Sequence, residues 1–401
     1  MKVFIVTKEA FPNGMAATNR IKCYARAIMD GGLKCEVIIC GCTELNAHKI
    51  KNNEAVGNYK GVPFRYIGGT TTDTRPELIR KLFQFVRLVK TGLYLKKNMQ
   101  KGDVLFLIMG GRVERMLRYM EIAHSKGAFC VRDLCELPNG TSIETEKTIR
   151  LRKTTIERQF PKLDGIISIS DALLNLARNY ALPTCKHIKV PIMVDYEDYY
   201  LKEKSSEVEI PYIFHSGTLY EQKDGFVGVL EAFGKATLML KTPIRFISTG
   251  NLNNARDKER SAIQEIIDRY NLEDKISFLG YVTNEELKNY LSRASLVIIN
   301  KYRTQQNNYC FSTKLGEYLA AAKPVVITNV GEAMNWLKDG EDAYVVEPED
   351  NDSLANAIVR VFGNPEEAHN IGKCGQKLCL NSFDYKVWSK PLVGFMNQLC
   401  R

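Results

Sequence analysis

Phe311-Ser312-Thr313-Lys314-Leu315-Gly316-Glu317-Tyr318-Leu319-Ala320-Ala321-Ala322-Lys323-Pro324-Val325-Val326 is the segment on which the fold class turns. It reads as a loop, a short helix with small residues on its packing side, a tight turn and a buried strand. Working outward, short apolar runs recur on both sides of it. Strands are expected at Tyr212–His215, Ile244–Ser248, Ile276–Leu279, Leu296–Asn300, Pro324–Thr328 and Ala343–Val346. Strands that alternate with helical stretches make parallel sheets covered by helices. The same rhythm runs through the first half. There Lys2–Thr7 is followed by a loop, Lys8–Gly14, and a helix from about Ala16 to Asp30 that Gly31-Gly32 stops. Glycine ends it because glycine takes the left-handed cap conformation without steric cost. Further strands are expected at Cys35–Cys40, Val104–Ile108, Ala128–Arg132, Gly165–Ile169 and His187–Val190.

The rhythm breaks at the charged stretch Tyr196–Glu209, where Lys202, Glu203, Lys204 and Glu207 stand among few apolar residues. A chain of 401 residues is also too long for one hydrophobic core. The expected organisation is a first α/β domain over residues 1–195, a linker at 196–210, a second α/β domain at 211–382 and an amphipathic closing helix at 383–401 that packs back on the first. Ligands of doubly wound sheets sit beyond the carboxyl ends of the strands, and two such domains leave a cleft for two substrates.

Composition narrows the class. The chain is 45% apolar and 25% charged, an ordinary folded protein rather than a disordered one. Its 11 cysteines are scattered, and Cys40 with Cys42 lacks a second ligand pair, so reduced, buried thiols are expected rather than disulfides or zinc. The apolar run at the start is too short for a signal peptide, and no stretch reaches the ~20 apolar residues that cross a bilayer, so a cytoplasmic location is expected. A net charge of +10 suits phosphate-rich ligands or an anionic membrane face. No nucleic-acid module signature is present.

Three strand ends in the second half carry glycine: His215-Ser216-Gly217-Thr218-Leu219 followed by Lys223-Asp224-Gly225; Thr249-Gly250-Asn251; and Leu279-Gly280-Tyr281-Val282. Glycine there lets backbone amides approach a ligand closely, and Lys223 adds charge for a diphosphate. None of the three fits G-x-G-x-x-G or the P-loop pattern, which argues against a dehydrogenase or a kinase. Lys314 and Glu317, three apart, share a helix face.

The chain resembles the retaining glycosyltransferases of family 4, which have the GT-B fold of two Rossmann-like domains facing each other across a cleft. Phe311–Val326 resembles that family's "fPsK-x-x-EYmAxGkPVv" segment. Gly217 with Lys223-Asp224-Gly225 resembles its diphosphate loop. Phe278-Leu279-Gly280-Tyr281-Val282 with Glu285-Glu286-Leu287 resembles the stretch that holds the nucleobase. Ser168-Ile169-Ser170 and Asn13-Gly14 match lesser features of the first domain. The resemblance implies transfer of a hexosyl or hexosaminyl group from a nucleotide-diphosphate sugar to a glycan or glycolipid acceptor, as in bacterial surface-polysaccharide synthesis. It implies no cofactor and no metal, because lysines and amides neutralise the leaving diphosphate. Glu317 would bind the donor ribose, and Lys223 and Lys314 would act on the diphosphate as catalytic groups. Gly14, Gly217, Thr218, Gly250, Tyr281, Val282, Tyr309 and Ser312 would complete the donor site.

Departures from that pattern stand beside the match. Thr218 replaces the arginine common after the first loop glycine, and Tyr309 stands where many members carry a sugar-contacting glutamate. The first-domain histidine is replaced within Val131-Arg132-Asp133-Leu134-Cys135-Glu136-Leu137-Pro138, where Asp133 or Glu136 either orients the acceptor or caps the following turn. These departures leave open a non-catalytic nucleotide-sugar-binding subunit or another GT-B enzyme, such as an epimerase. Finally, Ile79–Lys101 carries seven basic residues and no acidic one, interleaved with apolar residues. It is expected to be a basic amphipathic helix that meets an anionic membrane through Arg87, Lys90, Lys96 and Lys97.

Overall fold

A computed structural model describes residues 1–45, 50–140, 144–200 and 209–400. The first unit begins with β1 (Lys2–Thr7), α1 (Ala16–Asp30), β2 (Lys34–Ile39), β3 (Val56–Tyr59), β4 (Val62–Tyr66) and α2 (Glu77–Asn98). It continues with β5 (Val104–Ile108), α3 (Val113–Ser125), β6 (Phe129–Leu134), α4 (Glu146–Gln159), β7 (Gly165–Ser168), α5 (Asp171–Tyr180) and β8 (Lys186–Lys189). The eight strands form one sheet in the order β3-β4-β2-β1-β5-β6-β7-β8, parallel except for the β3–β4 hairpin. β5, Val-Leu-Phe-Leu-Ile, is buried at every residue, as a parallel strand covered on both faces must be.

The second unit opens with α6 (Tyr196–Tyr199), β9 (Tyr212–His215), α7 (Glu221–Asp224), α8 (Phe226–Met239), β10 (Arg245–Ser248), α9 (Asp257–Tyr270) and β11 (Ile276–Phe278). Then come α10 (Asn284–Arg293), β12 (Leu296–Ile299), α11 (Gln305–Tyr309), α12 (Lys314–Ala320), β13 (Val325–Thr328), β14 (Tyr344–Val346), α13 (Asn351–Gly363) and α14 (Pro365–Ser382). Its six strands are all parallel, in the order β11-β10-β9-β12-β13-β14. The last helix, α15 (Ser389–Gln398), belongs to the first unit. Its Leu392, Phe395 and Met396 join the core that β1, β2, β5 and α1 build. The chain therefore divides into Met1–Met193 with Tyr385–Arg401, and Val194–Asp384.

In each sheet the strand order reverses beside the first strand. β1 lies between β2 and β5, and β9 lies between β10 and β12. Such reversals leave a crevice beyond the carboxyl ends of the strands, because the connections on either side go to opposite faces. The two switch points thus fall after Thr7 and Ile108 in the first unit, and after His215 and Ile299 in the second.

Several expectations need correction. The β3–β4 hairpin was not expected; its strands have four and five residues, too short for a clear alternation. Tyr196–Tyr199 is a helical turn of the second unit that packs near α12, not linker. The linker residues Lys202, Glu203, Lys204 and Glu207 lie outside the described residues. None of the 11 cysteines is in a disulfide, but Cys374 and Cys400 are exposed and Cys42, Cys135 and Cys310 are only half-buried. Arg87 is the largest error. It is 4% exposed, and its Nη1 donates to Asp73 Oδ2 at 2.8 Å. Asp73 is also gripped by Arg75, whose hydrogen bonds, together with Arg87, hold its carboxyl well below the usual carboxylate range. Arg87 pins α2 to the domain and faces no membrane, whereas Lys90, Lys96 and Lys97 are exposed. No helix among the described residues is long and apolar enough to cross a membrane.

Candidate nucleotide-sugar site

The loop after β9 is built by local chemistry. α7 is a single turn, and Gly225 ends it with φ +55 while its N–H donates to Glu221 O at 2.7 Å. A Cβ at Gly225 would strike the Asn300 side chain, whose Nδ2 donates to Gly225 O at 2.9 Å. The position therefore demands glycine twice over, for the left-handed turn and for the close approach. This turn drives the carboxylate of Asp224 inward beneath the β9 loop, where it is 6% exposed.

Around Asp224 the second switch point assembles its charges. Lys301, just past β12, places Nζ 2.6 Å from Asp224 Oδ1 and donates to Lys223 O at 2.7 Å. Thr218 Oγ1 donates to Asp224 Oδ2 at 2.7 Å. Lys314, the first residue of α12, brings Nζ to 3.7 Å from Asp224 Oδ1, beyond hydrogen-bond reach. Burial would push the Asp224 carboxyl up, but Lys314 and Lys301 hold it below its ordinary range. The ammonium of Lys314 is pushed down by burial and by Lys301 and Lys223, while Asp224 opposes that shift. A Cβ on Gly217 would collide with Lys314 Nζ, so the glycine is what admits the lysine to the β9 loop. A cation at the first turn of a helix also works against the macrodipole. Local conflicts of this kind concentrate at functional sites.

The strand ends are tied together behind these charges. Gly217 N–H donates to Thr249 Oγ1 at 3.0 Å, Gly250 N–H to Ser248 Oγ at 3.0 Å, and Gly280 N–H to Gly250 O at 3.3 Å. His215 Nδ1 lies 3.1 Å from the same Ser248 Oγ; burial and Lys314 push its pKa down to about 3, so the ring is neutral. Tyr318 Oη, on α12, accepts from Ser216 N–H at 3.2 Å and lies 2.9 Å from Ser216 Oγ. Tyr281 and Val282 follow β11, the first exposed and the second half-exposed. Tyr309 ends α11, Ser312 lies in the loop before α12, and both are half-buried, as is Glu317 on α12. The structure thus places Gly217, Thr218, Lys223, Gly250, Tyr281, Val282, Tyr309, Ser312, Lys314 and Glu317 at the carboxyl side of one sheet.

The remaining expected residues belong to the first unit. Gly14 lines a cavity of about 300 Å³ with Glu9, Thr18, Glu44 and Lys51. A Cβ on Gly14 would strike Thr18 Oγ1, which donates to Ala10 O at 2.7 Å. Glu136 is exposed after β6. Asp133 is a correction. Its side chain is fully buried, and Arg20 clamps it through Nε to Oδ2 and Nη2 to Oδ1, both 2.9 Å. Tyr24 Oη adds a bond of 2.7 Å to Oδ1. Both carboxylate oxygens are committed to holding α1 on β6, so Asp133 neither orients an acceptor nor caps a turn.

Lys301 and Glu9 were missed, and Asp224 was read only as part of the diphosphate-loop pattern, without a role of its own. Lys301 was signalled by a charge directly after the expected strand Leu296–Asn300, and Asp224 by its place before a turn glycine. Glu9 had no local signal: burial raises its pKa, and Glu136, about 127 positions along the chain, adds to that shift. One trio among the described residues has metal-ligand chemistry, His124, Cys130 and Asp164. There Asp164 Oδ2 already accepts from Cys130 N–H at 2.7 Å and contacts His124 Nε2 at 2.9 Å, which ties it to the amino end of β6. An open groove of about 960 Å³ lies between the Trp336–Asp342 segment and α14, and none of the expected donor residues lines it.

Comparison with known proteins agrees with this geometry. Residues 200–378 match the family model described as Glycosyl transferases group 1. The chain is 25% identical over 162 residues to alpha-1,3/1,6-mannosyltransferase ALG2 of Dictyostelium discoideum, covering 40% of this chain and 37% of that protein. It is 25% identical over 169 residues to the lipopolysaccharide core biosynthesis glycosyltransferase LpsD of Rhizobium meliloti, covering 42% and 44%. The matches span less than half the length of these relatives. Sucrose-phosphate synthase from Thermosynechococcus elongatus superposes with a TM-score of 0.74 at 16% identity, covering 100% of this chain and 99% of that one. HepE of Anabaena in complex with UDP-glucose superposes at 0.70 and 14% identity, covering 98% of each. The chain therefore has the fold of the GT-B glycosyltransferases, and its residues 200–378 match the Glycosyl transferases group 1 family.

Proposed function

We propose that the chain is a retaining glycosyltransferase that moves a hexosyl or hexosaminyl group from a nucleotide-diphosphate sugar to a glycan acceptor in polysaccharide synthesis at the cytoplasmic side of the membrane. The observation that carries this reading is the set Lys301, Lys314 and Lys223 around Asp224, at the switch point where a doubly wound sheet presents ligands. Breaking a sugar–phosphate bond piles charge on the leaving diphosphate. Ammonium groups already fixed in a partly desolvated loop stabilise that charge without reorganising. HepE of Anabaena binds UDP and UDP-glucose, so uridine nucleotides are the first ligands to test.

The reading is tested by nucleotide release from a panel of nucleotide-diphosphate sugars, with and without glycan acceptors. Release is expected to survive EDTA; a strict requirement for a divalent ion would exclude lysine-based stabilisation. Glu317→Ala should weaken donor binding by about 1.5–3 kcal/mol, the worth of hydrogen bonds to an ionised acceptor, as read by calorimetric titration with the nucleotide. Equal affinity for donor would remove the ribose assignment. The commitment of Asp133 to Arg20 favours a second reading, a nucleotide-sugar-binding subunit without catalysis. That reading expects tight nucleotide binding and no release of nucleotide with any acceptor.

A further inference from the structure

The inward side of α2 is short. Only Arg87, Thr91, Gly92 and Leu95 are buried, packed towards α3, where Tyr119 Oη donates to Leu88 O at 3.1 Å. The opposite side is not basic, as the composition of the segment suggested, but apolar. Leu78, Leu82, Phe85, Val89 and Leu93 are spaced by three or four residues and so share one face at about 100° per residue. Leu78 is 81% exposed, Leu82 63%, Phe85 59% and Leu93 61%, with Val89 half-buried. Ile79, Phe83 and Val86 are exposed beside them. The first ten residues of the helix, Glu77 to Val86, have no buried side chain at all. Isolated helical turns with this much apolar surface gain nothing from standing in water.

Charge identifies the partner. Lys81 borders the apolar face on one side, Lys90 and Lys97 on the other, and Lys96 at its end, all exposed. Glu77 is the one acidic residue of the helix, and it is paired with Lys81 at 2.6 Å. A two-fold contact between copies would set lysine against lysine, because such an interface is self-complementary. A bilayer surface offers acyl chains to the leucines and phosphate to the lysines. We infer that α2 lies in a membrane interface with Leu78, Leu82, Phe85 and Leu93 inserted among the lipid chains and Lys81, Lys90, Lys96 and Lys97 at the anionic headgroups. This rests on the proposed function only in adding that the glycan acceptor is lipid-linked. Apolar insertion holds the helix, and charge selects the surface.

The test is flotation of the full chain with vesicles of phosphatidylcholine alone, or with about a third phosphatidylglycerol, alongside nucleotide release from donor in the same samples. Wild type should bind both vesicles and prefer the anionic ones. The Leu82→Glu/Phe85→Glu variant should lose at least about tenfold in bound fraction on both while keeping donor hydrolysis, since both residues belong to the first unit and the donor loops after β9, β10 and β11 to the second. The Lys90→Gln/Lys96→Gln/Lys97→Gln variant should keep binding to neutral vesicles and lose the anionic preference. Wild type that floats with neither vesicle, or a glutamate variant that floats like wild type, overturns the inference. So does a wild-type dimer in sedimentation equilibrium that the glutamate variant converts to monomer, which would mean that a second copy covers the face. Donor hydrolysis without flotation leaves the glycosyltransferase reading standing, and flotation without hydrolysis does the reverse.

Discussion

Lys314→Ala should lower the turnover of sugar transfer by about 10²- to 10³-fold, the cost of removing one preorganised donor from a developing negative charge. Three features single out this lysine among its neighbours. Lys301 already spends two of its donors, on Asp224 and on Lys223 O. Lys223 is exposed, so water weakens its field. Lys314 is only loosely held, 3.7 Å from Asp224, and sits against Gly217 with its donors left for a ligand. The loss should fall on kcat more than on KM for the donor, because an interaction that strengthens as charge grows acts on the transition state. Burial and the two neighbouring lysines lower its pKa. The active form is protonated, so the alkaline limb of the rate profile should fall below the pH expected of a free lysine, about 10.4. Lys301→Ala should cost less, and act by releasing Asp224 rather than by direct contact with the donor. Unchanged turnover in Lys314→Ala at saturating donor would remove the lysine from the mechanism.

Asp133→Asn should destabilise the first unit by about 3–5 kcal/mol, as should Arg20→Leu, because each leaves an uncompensated group in a dry interior. Arg20 sits 3% exposed and spends its donors on Asp133, Tyr24 Oη and Pro191 O. Burial would lower its pKa, but Asp133 overrides that and holds it above its usual value, so the charge persists at every accessible pH. Replacing both partners by leucine should recover part of the loss, since a buried pair is often no better than apolar side chains of similar size. The measurement is the denaturation midpoint of the full chain, followed by near-ultraviolet dichroism. An Asp133→Asn protein that unfolds like wild type and yet fails to transfer sugar would return Asp133 to the acceptor site.

These two residues show where legibility stopped. Asp133 and Lys314 were both singled out from sequence, and both are charged residues at the edge of a regular element. For Lys314 the neighbours that matter, Gly217 and Asp224, come from a loop whose own glycine pattern was readable, so two local signals converged on one site. For Asp133 the deciding neighbour is Arg20, 113 positions away on a helix whose arginine has no marked sequence context. The same distinction separates the strands. β1, β5 and β9 match their expected bounds to the residue, because an unbroken apolar run is what a doubly covered strand requires. The β3–β4 hairpin carries too few residues for its period to stand out.

By itself the sequence determined the βα alternation, two doubly wound units and the glycine-bearing ends of β9, β10 and β11. Each of these follows from residue type at short spacing: periodicity sets the element, and glycine sets what backbone can approach. Only the tertiary structure decided which charges are available. It showed that Asp133 and Arg87 are buried in ion pairs, that Lys301 completes the Asp224 cluster, and that the outward face of α2 is apolar. The reason is that burial and pairing depend on which element lies opposite, a matter of strand order and helix docking that no local pattern encodes.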